Sequence, residues 1–202
     1  MSDEDNDSFT SEENNSHYIE NIENSYKVYI NHLGEILSDI LDKIIRKNSL
    51  ENLNNNEDEN GEIILLTTMI SEMEIFNTKK KPVVSVKKFL DRVNKYCQPE
   101  PSTLILSLIY LDKILLKTKT KLNWMNGFKL FYGCFVCSIK YNEDRHNSNK
   151  FYAKVCGVSF NDLLMMEYIC LKYLEWNLFI DQEIYELYFN SIYSNNSNEH
   201  YQ

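Results

Sequence analysis

The chain has 202 residues, of which 43% are hydrophobic and 25% charged, enough for one sizeable core. Its net charge of −9 is concentrated at the start: residues 1–25 carry eight acids and no Lys or Arg, which leaves 22 acids and 21 bases in the other 177 residues. A near-neutral body argues against nucleic acid as the main partner, the acidic start lacks the basic and apolar regions of a secretory signal, and no apolar run approaches the ~20 residues that span a bilayer.

Residues 1–16, acidic and rich in Ser and Asn, are expected to be disordered. A helix is predicted over 18–47, where Ile22, Tyr26, Tyr29, Leu33, Ile36, Ile40 and Ile44 recur mostly at steps of four and three and Lys43, Arg46 and Lys47 fall in the last turn. This spacing suits either a helix packed on the main domain or a short coiled-coil seam. A polar loop follows at 48–61, a second helix at 62–76, and a loop at 77–84 with three consecutive lysines and Pro82.

Helices are then predicted at 85–97, 101–117, 124–140, 148–156, 160–176 and 181–193. Pro101 suits a first helical position, Gly157 a left-handed C-cap, and Ser159 with Asp162 a capping box. No segment alternates with period two, so the fold class is all-α. Five cysteines, Cys97, Cys134, Cys137, Cys156 and Cys170, form no disulfide framework. Cys134 and Cys137 make a lone C-x-x-C without a second ligand pair, so buried thiols are expected rather than a metal site, and no cofactor is implied.

Glu167 stands out. The predicted helix over 160–176 carries Phe160, Leu163, Leu164, Glu167, Cys170, Leu171 and Leu174 on one face. A carboxylate in an apolar stripe is costly unless it is paired and hydrogen-bonded. Lys140, closing the preceding apolar segment 130–139, is the candidate cation. Together they suggest a two-pronged polar clasp in an apolar surface.

From about Ile63 to Tyr193 the chain resembles the cyclin box, specifically that of the phosphate-regulon-type (P/U-type) cyclins. One block is Ser85-Val86, Phe89-Leu90-Asp91-Arg92-Val93 and Tyr96, followed by Leu108 to Lys113. The other runs from Lys140-Tyr141-Asn142-Glu143-Asp144 through Asn149 to Gly157, then Leu163, Glu167 and Leu174-Glu175-Trp176. The resemblance implies a regulatory subunit, not an enzyme, that binds and activates a cyclin-dependent Ser/Thr protein kinase. It implies that Lys140 and Glu167 grip backbone groups near the kinase's regulatory helix, with Tyr141, Leu171 and Trp176 beside them. For those three the plainer alternative is core packing. It also implies an internal ion pair between Arg92 and Asp112. On this reading residues 17–61 are an N-terminal helix and polar loop, 62–193 the cyclin-like domain with its core box at 85–193, and 194–202 a disordered end. Cytoplasm or nucleus is the expected location.

The chain departs from the family at Asp91, Lys95 and Gln98, polar where cell-cycle cyclins carry an apolar substrate-docking patch, and at Ser138 and Cys156, where Ala and Gly are usual. An enzyme finds no support, because no Gly-rich phosphate loop, G-x-S-x-G or H-E-x-x-H is present and Glu143-Asp144 reads as a solvated turn. A DNA-binding transcription factor of cyclin fold wants a basic face. A helical scaffold self-associating through 18–47 is the remaining alternative.

Overall fold

Three serines open three helices. The Ser85 hydroxyl accepts from the Lys88 N–H, that of Ser148 from the Phe151 N–H and that of Ser159 from the Asp162 N–H, each satisfying an orphan donor of a first turn. The computed structural model describes residues 7–51 and 71–197. Its helices are α1 (Asp7–Glu51), α2 (Val86–Cys97), α3 (Pro101–Thr118), α4 (Gly127–Asn142), α5 (Asn149–Cys156), α6 (Phe160–Tyr173) and α7 (Gln182–Ser197). Residues 71–73 are helical and lead into a 3-10 turn at Glu74–Phe76. The fold is all-α, with no strand among the described residues. Pro101 is the first residue of α3, and Gly157, at φ 80°, is the left-handed cap of α5.

Several boundaries differ from the predicted ones. Helix α1 begins at Asp7, ahead of the predicted start at 18, and no Gly or Pro interrupts 7–33. Helix α4 begins at Gly127 rather than 124. There Asn126 Oδ1 accepts from the Asn123 N–H and Asn123 Oδ1 from the Met125 N–H, a local pairing that replaces helical bonds. Helix α6 stops at Tyr173, and α7 continues past 193 to Ser197. The expected features at 1–6, 52–70 and 198–202 lie outside the described residues.

Helices α3 and α4 form the centre. Residues 103–111 of α3 and 130–139 of α4 are buried on every side, as expected of helices apolar all round. The other helices surround this pair: α6 packs on α4, α5 on α6, α7 on α3, and α1 on α2. Ile30, Leu33, Ile36, Leu37, Leu41 and Ile45 carry the buried stripe of α1. Leu33 and Ile36 of the predicted stripe are buried and Ile40 is partly so, but the buried face is centred about one residue further round, leaving Tyr29 and Ile44 exposed. Adjacent apolar pairs at 36–37, 40–41 and 44–45 make both stripes compatible with the pattern, and the packing against α2 selects between them.

Candidate partner-binding site

Helix α6 approaches α4 closely at Gly133, where an added Cβ would lie 2.8 Å from Cys170 Sγ. This close contact sets the two helices so that the last turn of α4 and the middle of α6 face each other. The core side of α6 is Leu163, Met166, Ile169, Cys170 and Tyr173. Glu167 sits at the edge of that face, not at its centre as the predicted stripe had it.

There it meets Lys140. Lys140 Nζ donates to both carboxylate oxygens of Glu167, at 2.6 and 2.8 Å, and Asn149 Nδ2 donates to Oε2 at 3.0 Å. The side chains are 22% and 15% exposed. The candidate cation is therefore the actual one. Lys140 also lies in the last turn of α4, where a cation is favoured by the helix dipole. The third donor, Asn149, had no assigned role in the sequence reading. It is the first residue of α5, and only the fold brings it to Glu167.

An apolar rim borders the pair. Phe160, Leu164 and Tyr168 follow one another at steps of four on α6, all exposed, and Met165 joins them. Tyr141 is 52% exposed and Trp176 is 65% exposed, so neither closes the core. Leu171 is half-buried against the core. Trp176 meets Tyr168 edge-on, with ring centroids 6.4 Å apart. It is held outward because Glu175 and Trp176 both take left-handed backbone, at φ 57° and 60°, and the Trp176 N–H bonds back to the Leu171 carbonyl. Non-glycine residues adopt that conformation at a cost, and such costs concentrate at functional surfaces. Exposure and the left-handed turn have no signal in the helical pattern of 160–176.

Behind the pair, the polar residues of α4 brace α3. Glu143 is not a solvated turn residue: its carboxylate accepts from the Glu100 N–H at 2.9 Å and the Thr103 hydroxyl at 2.7 Å, capping α3 in place of a local side chain. Burial raises its pKa above the ordinary carboxylate value. Asn142 Nδ2 donates to the hydroxyls of Ser102 and Thr103. The buried Ser138 hydroxyl donates to the Thr103 carbonyl, so the polar atom at this departure from the family is satisfied.

The C-x-x-C thiols are buried. A hydrogen bond with Cys170 and burial hold the Cys137 thiol well above its usual range.

Arg92 and Asp112 are not brought together. The Arg92 guanidinium reaches the Cys156 carbonyl at 3.5 Å and lies over the Phe89 ring, while its Nε is buried without a partner. Asp112 instead accepts the Tyr188 hydroxyl from α7. The expected internal ion pair is therefore corrected: α7 supplies a phenol that takes the carboxylate, and the segment ending α5 takes the guanidinium.

An all-helical domain whose partly buried polar pair is ringed by exposed apolar side chains has the character of a protein-binding module. The family model described as Cyclin matches residues 31–178, nearly three quarters of the chain. The chain belongs to the cyclin family, and within it to the P/U type. Cyclin-U1-1 of Arabidopsis thaliana is 31% identical over 117 residues, 57% of this chain and 56% of that protein. Cyclin-P3-1 of Oryza sativa subsp. japonica is 29% identical over 114 residues, 56% of this chain and 48% of that protein. PHO85 cyclin-like protein psl1 of Schizosaccharomyces pombe is 28% identical over 159 residues, 77% of this chain and 64% of that protein. The chain spans about half the length of the plant relatives it matches. Cyclins are regulatory subunits rather than enzymes.

Proposed function

We propose that this chain binds and activates a cyclin-dependent Ser/Thr protein kinase, and that Lys140 and Glu167, with Tyr141, Leu171 and Trp176, form the centre of the contact. The observation that carries this reading is the closed Lys140–Glu167 pair within an exposed apolar rim. Glu167 accepts three hydrogen bonds in the free chain. Binding therefore exchanges or extends existing bonds rather than satisfying an empty carboxylate. A carboxylate offers about four acceptor positions, so one remains for a backbone amide of the kinase, and charge-assisted bonds of this kind are the strong ones.

Activation is then a population shift. The surface binds the kinase conformation whose regulatory helix is turned inward, which completes the kinase's own Lys–Glu pair and orients the ATP phosphates. The chain supplies no catalytic group and no cofactor, and acts in the cytoplasm or nucleus. No helix among the described residues is long and apolar enough to cross a membrane. The domain itself is proposed to span 62–193 with α1 docked on it. That docking buries Leu33 and Ile36 of the seam within one chain, which weighs against a self-associating scaffold.

Reconstitution tests the reading. Adding the chain to a kinase captured with it should raise phosphorylation of a Ser/Thr peptide, and Trp176→Ala should reduce that stimulation at least ~tenfold, as for an aromatic anchor at an interface. Stimulation by Trp176→Ala equal to wild type would remove this surface from the contact. ATP turnover by the chain alone would remove the regulatory reading.

A further inference from the structure

We propose that the end of the domain away from Lys140 is a docking surface for an acidic polypeptide segment of another protein, a proposal that stands apart from kinase binding. The segments 43–49, 77–84 and 119–126 hold eight basic residues and no acid, in a chain of net charge −9. The fold gathers all three. Asn48 Nδ2 donates to the Leu122 carbonyl at 2.9 Å, and the Thr78 N–H donates to the Met125 carbonyl at 2.8 Å. Arg46 and Lys81 lie over the Trp124 ring, at 5.9 and 4.3 Å from its centroid. Lys47, Lys79, Lys80 and Lys119 are exposed and form no ion pair among the described residues.

Gathering like charges costs stability unless an anion offsets it. Arg46 is paired with Asp42 just outside these segments, but Lys81 is held by its attraction to the indole face, which keeps its charge in place without neutralising it. A hollow of about 690 Å³, lined by Ser49, Asn77, Lys81, Asn123 and Trp124 among others, opens beside them. Its size admits side chains of a bound segment.

Acidic polypeptide fits better than nucleic acid. Lys81 lies over the Trp124 ring, so that face is not offered to a base. Seven of the eight basic residues are Lys, compact point charges rather than the forked guanidinium that reads phosphates bidentately. The net negative charge of the whole chain repels a long polyanion that extends past the patch. The fully exposed Val83, next to the lysine run, gives a peptide an apolar contact as well. Gly127 and Lys140 are thirteen residues apart on one helix, about 20 Å at 1.5 Å per residue, so a partner on the Lys140 surface leaves this end open.

Fluorescence anisotropy with the full chain tests the proposal, using a labelled Glu/Asp-rich peptide, its Gln/Asn counterpart and a single-stranded oligonucleotide. The acidic peptide should bind, more weakly as salt rises, and the Gln/Asn peptide should not. Lys79→Gln/Lys80→Gln/Lys81→Gln should weaken binding at least ~tenfold, whereas Lys150→Gln/Lys154→Gln on α5 should change it less than ~twofold. Melting curves establish that each variant is folded, and Lys47→Gln/Lys119→Gln replaces the triple variant if that one is not. No binding of the acidic peptide, equal weakening by both sets of substitutions, or tighter binding of the oligonucleotide each overturns the proposal.

Discussion

Where α4 ends against α6, and where α3 runs beside α7, the domain holds a carboxylate partly out of water, and it satisfies the two by different chemistry. Glu167 is met by a cation and an amide, Lys140 and Asn149, within an apolar surface. Asp112 is met by the phenol of Tyr188, while its expected cation Arg92 turns to the Cys156 carbonyl. A phenol donates one directed bond, so the Asp112 contact works as a clamp between two helices. A lysine ammonium has three rotatable donors on a flexible stem and can share them with an incoming partner. The first arrangement is suited to fixing the fold, the second to being remade at an interface.

The largest effect on the isolated domain should come from the clamp. Asp112→Ala leaves the Tyr188 hydroxyl without its acceptor and should cost about 1.5–3 kcal/mol, read as a drop of several degrees in melting temperature. Next comes the Lys140–Glu167 pair. A double-mutant cycle of Lys140→Ala and Glu167→Gln on the isolated chain should return a coupling on the order of 1 kcal/mol, more than an exposed surface pair because both side chains are mostly buried. The same cycle on Arg92→Ala and Asp112→Ala should return less than about 0.5 kcal/mol, since they share no bond. A coupling there as large as that of Lys140 and Glu167 would restore the ion pair and dissolve the contrast.

The smallest effect is in pH dependence. Burial, opposed by the bonds from Glu100 and Thr103, leaves the Glu143 pKa raised in the folded chain. The folded state therefore takes up this proton before the unfolded chain does. Stability from Glu143 is fully present below its unfolded pKa and is lost as pH rises through the folded one. Wild type should gain melting temperature relative to Glu143→Gln as pH falls from neutral toward the ordinary carboxylate value of 4.5. The opposite slope would show that the hydrogen bonds outweigh burial.

The helices from 85 onward, the caps at Pro101, Gly157 and Ser159, and the pairing of Lys140 with Glu167 could be read from residue type and spacing, because each rests on contacts within a few residues or on a charge that a stripe cannot leave alone. What could not be read depends on which distant element arrives first. Tyr188 reaches Asp112 from 76 residues away, Glu143 caps a helix 40 residues earlier, and the buried stripe of α1 is chosen by α2. Among the site residues, Tyr141 and Trp176 had core packing as their alternative, and their exposure comes from a helix end and a left-handed turn that periodicity does not encode.

The most direct test of the proposed interface is one substitution measured twice. Glu167→Gln keeps the shape of the side chain and removes its charge. If the pair serves a partner, the isolated domain should melt within a few degrees of wild type, while kinase affinity falls by about 2 kcal/mol or more, roughly thirtyfold in Kd. If Glu167→Gln unfolds the isolated domain and the fraction that remains folded binds kinase with wild-type affinity, Glu167 is a structural ion and the Lys140–Glu167 surface is not the kinase contact.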